Sequence, residues 1–207
     1  MSHKHKNVRA DQLRRALAQE AARIMSEQGV DNFLLAKRKA AERLGVADAS
    51  VLPNNKEIED ALAEHHRLFG ANRHQAALRE LRGIALQAMR LLQEFEPRLV
   101  GPVLTGMASE HSEIVLHIFS EQPEAVAWRL EEQGIPHKLN ERRLRYEPGR
   151  TVPYPVFHFV AGKQAIDAVV FPIDGIRQAP SSPVDGRPMR RGDTAEVEEL
   201  ISSSAVD

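Results

Sequence analysis

The sequence contains no cysteine among its 207 residues. Disulfide bonds and zinc sites built on thiolates are therefore excluded, and nothing in the composition indicates an oxidising compartment. Aromatic residues make up only 5% of the chain, and no stretch approaches the run of about 18 apolar residues that a membrane span needs. The first residues are polar and basic, without the apolar core of an export signal. We therefore expect a cytoplasmic protein without membrane association.

Several common site motifs are also missing. The sequence has no P-loop, no glycine-rich dinucleotide fingerprint and no serine in a nucleophile elbow. The adjacent His65 and His66, and the "HKH" near the start, are too close together or too local to form an ordered metal site by themselves. These absences argue against P-loop and dinucleotide-dependent enzymes, and they leave a hydrolytic triad without an identifiable nucleophile.

The composition that remains is that of a soluble globular protein. Hydrophobic residues make up 42% of the chain and charged residues 28%, which is enough apolar material for a core. The net charge of -1 is unevenly spread, because residues 1–45 hold ten Lys or Arg against five acidic residues. Such a basic segment is typical either of a surface that meets phosphate or of solvated helix faces.

The first half of the chain predicts four helices from apolar residues at helical spacing. They run over residues 11–28, from Asp31 to about Leu44, from Asn54 after Pro53, and from Asn72 to about Phe95. Asn54 and Glu57 have the spacing of a capping box at the start of the third helix. The second helix is a basic amphipath, since Lys37, Arg38 and Lys39 lie largely opposite its apolar side.

The pattern changes near Pro97 to short runs of Val, Leu and Ile, which is typical of strands. A helix with Ser120 as cap and Gly134 past its end follows, and then a hairpin of residues 154–160 and 164–171. Residues 172–192 are rich in proline and predict an extended loop, after which Asp193 caps a last short helix. The predicted fold is therefore α+β, with a helical region over residues 1–96 and a mixed β-sheet domain over residues 97–207.

The stretch "LTGMASEHSEIVLHIF", residues 104–119, comes closest to indicating a chemistry. It predicts a strand that ends at Gly106, a polar loop, and a second strand that carries Glu113 and His117. A helix and a later strand with the lone acid Asp167 follow. Over about residues 99–171 this order of elements resembles the nucleotidyltransferase superfamily of the polymerase-beta type, with a degenerate motif.

The resemblance implies roles for particular residues. In that superfamily a glycine, usually followed by serine, lets nucleotide phosphates approach the backbone. Two carboxylates one residue apart on the next strand, and a third on a later strand, hold divalent metal. Gly106 matches the glycine, with Ser109 as the nearest hydroxyl because Met107 stands where serine is usual. Glu113 matches the first carboxylate and Asp167 the third.

The second carboxylate of the pattern falls on Val115, which has no oxygen donor. Two metal ions that bridge phosphate oxygens need several hard oxygen ligands close together. Glu113 and His117 cannot replace the pair, because four residues of strand separate them by about 13 Å and imidazole suits softer metals. We therefore predict no metal site, with Mg²⁺ bound only if the chain is an active enzyme with an unusual ligand set.

Each candidate also has a purely structural interpretation. Gly106 can simply end a strand, Glu113 can be a solvated edge residue, and His117 can be a hydrogen-bonded, half-buried histidine. Asp167 lies among apolar neighbours and needs a partner, either a ligand or a structural ion pair. Arg142 belongs to a basic cluster. The forked donors of arginine suit phosphate, and a solvated surface explains such a cluster at least as well.

Three functions follow from these patterns. The leading hypothesis is a nucleotidyltransferase-like protein without the two-metal centre, which binds a nucleotide, a phosphorylated ligand or a partner at Gly106, Ser109, Glu113, His117 and Asp167. The second is an active nucleotidyltransferase. The third is a nucleic-acid-binding regulator that uses the basic N-terminal helices. The candidate contacts to phosphate or nucleic acid are Lys37, Arg38, Lys39, Arg190 and Arg191. The sequence predicts no oligomeric state.

Overall fold

The computed structural model describes residues 2–30, 32–69, 71–147 and 149–203. Backbone contacts divide the chain into two units. The helical unit runs to His74 and includes Pro183–Asp185, and the sheet unit comprises Gln75–Ser182 and the chain from Gly186 onward. The boundary predicted between residues 96 and 97 coincides with the change from helices to strands. Its role as a boundary between two domains stays a prediction.

The helical unit contains α1 (Ser2–Gln28), α2 (Phe33–Arg43), α3 (Asn55–Phe69) and the first turn of α4 (Ala71–Leu91). α1 begins earlier than the predicted Asp11. The prediction missed the first turns because they are polar and carry none of the apolar stripe on which it relied. The predicted start of α2 at Asp31 lies outside the described residues. Asn32 caps this helix, and its side chain accepts a hydrogen bond of 3.0 Å from the amide of Leu35.

Alanine is the most frequent buried hydrophobic residue among the described residues of the helical unit. Ala21, Ala22, Ala36 and Ala40 are fully buried, and small side chains let helix axes approach closely. The capping box of α3 is confirmed. The amide of Glu57 donates to Asn54 Oδ1 at 2.8 Å, and the amide of Asn54 donates to Glu57 Oε2 at 2.7 Å.

The sheet unit confirms the predicted α+β class with a mixed sheet. Its elements after α4 are β1 (Arg98–Val100), α5 (Gly101–Thr105), β2 (Ile114–Phe119), α6 (Pro123–Glu132), β3 (His137–Glu147), β4 (Arg150–Ala161), β5 (Gln164–Phe171) and α7 (Thr194–Ser203). The strand order is β1-β2-β5-β4-β3, in which β2 and β5 are parallel and the other neighbouring pairs are antiparallel. The predicted hairpin of β4 and β5 is therefore confirmed.

The two faces of this sheet differ. One face carries Leu116, Phe157 and Ala168, which join the main core with α4, α5 and α6. The opposite face carries a smaller apolar cluster around Phe171. Successive side chains of a strand alternate between faces, so Val115, His117, His158 and Asp167 also lie on this second face.

The predicted strand ending at Gly106 is wrong, because α5 occupies residues 101–105. Pro102 lies in the first turn of α5, where its missing amide hydrogen costs nothing. Gly106 ends the helix with a left-handed φ of 87°, and its amide donates to the carbonyl of Pro102 at 2.9 Å. Burial of Val103 and Leu104 outweighs the strand preference of this run.

Two predicted caps have different outcomes. Ser120 does not cap α6 as predicted, since the N-cap is Gln122 and the Ser120 hydroxyl instead forms a tight turn with the backbone of Gln122. Asp193 does accept a hydrogen bond of 2.9 Å from the amide of Glu196 in the first turn of α7. Within the described ranges, no helix combines the length and the apolar character that crossing a membrane demands.

Candidate functional site

Asp167 lies at the centre of the second sheet face. In the sheet register it stands beside Val115 of the parallel strand β2 and beside His158 of the antiparallel strand β4. The residue is only 7% exposed, so its carboxylate has little access to water. A buried carboxylate needs partners that replace its hydration.

Two side chains supply these partners. Arg142 of β3 donates from Nη2 to Asp167 Oδ2 at 2.6 Å. His158 lies with its Nδ1 2.8 Å from Asp167 Oδ1. Because a carboxylate oxygen only accepts, Nδ1 of His158 carries the hydrogen and Nε2 is the basic nitrogen of the neutral ring. Asp167 therefore fixes both the guanidinium and the tautomer of the imidazole.

Arg142 also approaches the second acid of the face. Glu113, immediately before β2, has its Oε2 3.9 Å from Arg142 Nη2, and its side chain is 52% exposed. The guanidinium thus contacts both Glu113 and Asp167, the two acids that the sequence interpretation compared with metal-binding carboxylates. A cation of the chain itself interacts with both acids.

These residues do not fit a pair of magnesium ions. Magnesium requires near-octahedral oxygen coordination, and Val115 contributes no oxygen beside Asp167. In the part of the chain that the structure describes, no three His, Cys, Asp or Glu side chains are grouped so that they could hold a metal ion.

His117 is on the same face but has a different partner. It is 1% exposed, and its Nδ1 accepts a hydrogen bond of 3.0 Å from Arg191 Nε. Burial lowers the pKa of His117 well below its ordinary value, and the positive charges of Arg191 and Arg142 lower it further. The ring is therefore neutral at physiological pH and serves as an acceptor inside the fold.

The guanidinium of Arg191 is largely committed to the protein interior. Its Nη1 donates to the carbonyls of Gly175 at 2.7 Å and Ile176 at 3.2 Å. Its Cζ lies 5.1 Å from the ring centre of Phe119 and 4.9 Å from that of Phe171. Burial lowers the pKa of Arg191. These contacts attach the end of the proline-rich loop to the sheet, and a phosphate contact of Arg191 stays a prediction.

The other candidates of the sheet unit lie around the helices or in the loop before β2. Gly106 faces Arg82 and Leu78 of α4, whose nearest atoms are 3.8 Å from where a β-carbon would stand. Ser109 closes the loop before β2, because its amide donates to the buried Ser112 hydroxyl at 3.0 Å. Arg190 is exposed and forms an ion pair with Glu196.

The sequence interpretation missed two residues. Arg82 is 6% exposed and donates to the carbonyls of Val103 and Leu104, which caps α5. Its signal was its place on the apolar stripe of α4, four residues after Leu78. His158 was also missed, although counting outward from the hairpin loop places it opposite Asp167.

The basic residues of α2 have mixed surroundings. Lys37 is half-buried, which lowers its pKa, while Glu57 opposes that shift. Lys39 donates to Gln28 Oε1 at 3.2 Å, and Arg38 is exposed. Arg38 and Lys39 line a cavity of about 510 Å³ together with Leu35 and Glu42. Their contact with nucleic acid stays a prediction.

Comparisons with known proteins complete the description. No protein-family model matches the sequence, and a search of curated proteins finds no match. Among solved structures, a cytoplasmic RNA terminal U-transferase is similar to 64% of this chain, with 17% identity and a TM-score of 0.29. The match covers 33% of the transferase chain, so this protein spans about a third of its length. The fold class rests on the helices and the sheet described above.

Proposed function

We propose that this chain is a nucleotidyltransferase-like protein without a two-metal catalytic centre, which binds a nucleotide or another phosphorylated ligand at the face around Asp167. One observation carries the proposal. The Arg142 guanidinium interacts with both Glu113 and Asp167, the acids that the superfamily motif assigns to metal. With an aliphatic Val115 between these positions, the site holds one fixed positive charge instead of exchangeable ions.

Arg142 is well suited to phosphate. Its single hydrogen bond within the described residues uses Nη2, and its side chain is 36% exposed. The other N–H groups of the guanidinium form a fork that matches two phosphate oxygens. Asp167 restrains the side chain before the ligand arrives, so less conformational entropy is lost on binding.

A thermal-shift panel of nucleotides, with and without magnesium, tests the proposal. Ligand at about a hundredfold excess over its Kd stabilises the native state by about 2.7 kcal/mol, which raises Tm by roughly 5 °C or more for a chain of this size. We expect a bound nucleotide to produce such a shift and magnesium to leave it unchanged. Magnesium-dependent turnover of a nucleotide would contradict the proposal and select the active enzyme.

Arg142→Ala and Arg143→Ala form a matched pair of variants. Arg143 is the next residue of β3, faces the opposite way, and is 73% exposed with Glu141 at 3.5 Å. We expect Arg142→Ala to lose the nucleotide-dependent shift and Arg143→Ala to keep it. Equal losses in both variants would show that the ligand responds to net charge rather than to this site.

A further inference from the structure

A second group on this face has an unused nitrogen. His158 is half-buried, with a side chain 35% exposed. Its Nδ1 is bonded to Asp167, and within the described residues Nε2 has no hydrogen-bond partner. In the neutral ring Nε2 accepts, whereas in the protonated ring it donates. An accessible nitrogen that Asp167 holds in one orientation is suited to contact a ligand.

The charges around His158 come from three other elements. Lys138 of β3 is its direct cross-strand neighbour and is exposed. Arg142 reaches the other oxygen of the same carboxylate. The acids are the buried Asp167, whose two oxygens are already bonded, and Glu113, which is half exposed at 3.9 Å from the guanidinium. An incoming group therefore meets Lys138, Arg142 and His158, with Glu113 as the acid at the rim.

We propose that Lys138, Arg142 and His158 together bind a phosphate monoester, such as the phosphate of a nucleoside monophosphate. This assignment rests on the function proposed above and names its ligand class. The site offers two cations, an imidazole nitrogen and no ligand set for a metal ion, so it favours a bare monoester dianion over a magnesium-complexed triphosphate. Glu113 turns into the solvent as the dianion binds, because like charges repel.

Calorimetric titration with AMP and with sulfate at one constant pH tests the assignment. Sulfate presents a similar tetrahedral set of acceptor oxygens without a nucleoside, so it reports on the phosphate contacts alone. We expect sulfate to compete with AMP.

The variants give effects of opposite sign. His158→Ala removes the Nε2 contact and should weaken AMP binding a few-fold. Lys138→Ala should weaken AMP binding about tenfold, whereas Lys163→Ala, which removes an exposed lysine of the β4–β5 turn, should not. Glu113→Gln should tighten AMP binding a few-fold, because it removes the acid at the rim. A site built on metal ligands would respond to Glu113→Gln with a loss.

The outcomes separate the two proposals. Wild-type protein that binds AMP, combined with unchanged affinity in His158→Ala or weaker binding in Glu113→Gln, overturns the assignment and leaves the proposed function standing. Wild-type protein that binds no nucleotide and no sulfate overturns both. Nitrogen-15 NMR of the wild-type imidazoles provides a check without substitution. We expect the Nδ1–H tautomer for His158, and the Nε2–H tautomer would overturn the assignment.

Discussion

The helical unit and the sheet unit use charge in different ways. In α1 and α3, Arg23 pairs with Glu20 and Glu27, and Lys56 pairs with Glu59 and Asp60, all within one turn of helix. In the sheet unit the partners are distant in sequence: Arg142 binds Asp167, and Arg191 binds His117 across 74 residues. Exposed pairs contribute little to stability, whereas a buried charge depends on its partner. The pairs within α1 and α3 therefore lie mainly on exposed helix surface, although Arg43 of α2 also bonds the half-buried Glu20. The pairs of the sheet unit organise its second face.

His66 is the exception in the helical unit and gives the largest expected effect. It is 9% exposed, its ring stacks on that of His74 at 3.8 Å, and its Nδ1 has no hydrogen-bond partner within the described residues. Burial, followed by the neighbouring His74 and His65, lowers the pKa of His66 to about 4. The folded state therefore excludes a proton that the unfolded chain binds at about pH 6.5.

His66 should consequently leave the free energy of unfolding unchanged above about pH 6.5. It should lower that free energy by up to about 3 kcal/mol as the pH drops towards about 4. Urea unfolding over this range measures the loss. His66→Phe keeps an aromatic ring for the stack and should flatten the curve by the same amount. A parallel curve for wild type and variant would show that this histidine does not contribute.

Asp167→Ala gives the next largest effect. It removes the acceptor of both Arg142 and His158, and we expect a loss of about 2 to 3 kcal/mol in the free energy of unfolding. The partial exposure of both partners keeps the loss at that level. Lys56→Ala in the helical unit is the control, with an expected change below about 0.5 kcal/mol because Lys56 is 56% exposed. Equal changes in urea unfolding would remove the distinction between the two units.

Asn54→Ala tests the capping box of the helical unit and has an expected effect of intermediate size. The substitution removes the acceptor for the Glu57 amide, and such caps contribute about 1 kcal/mol. Asn54→Asp retains an acceptor and should restore most of the stability. Far-ultraviolet circular dichroism during urea unfolding follows both variants, and a stable Asn54→Ala variant would argue against the capping box.

The smallest expected effect concerns α2. Replacing Lys37, Arg38 and Lys39 by Glu should leave the nucleotide-dependent thermal shift unchanged, since the proposed site lies in the sheet unit. The same variant addresses the nucleic-acid hypothesis through duplex binding at several salt concentrations. Wild-type binding that weakens steeply with salt and disappears in the variant would favour the regulator instead.

Prediction from sequence succeeded where a structure depends on near neighbours. The capping box at Asn54 and Glu57, the cap at Asp193 and the hairpin of β4 and β5 each rest on residues a few positions apart. It failed at α5, where strand-forming residues fold as a helix because Val103 and Leu104 pack into the core. It also missed Arg82, because no periodicity shows that a buried arginine will find carbonyl acceptors.

The order of residues by itself determined the helices of the first half, the hairpin and the aliphatic side chain at Val115, because spacing and chemical type are local properties. Only the tertiary structure decided that Arg142 and His158 share one buried carboxylate and that Arg191 turns inward to His117. The physical reason is that strand register and burial set these distances. A charge far along the chain becomes a partner only when the sheet brings it within hydrogen-bond reach.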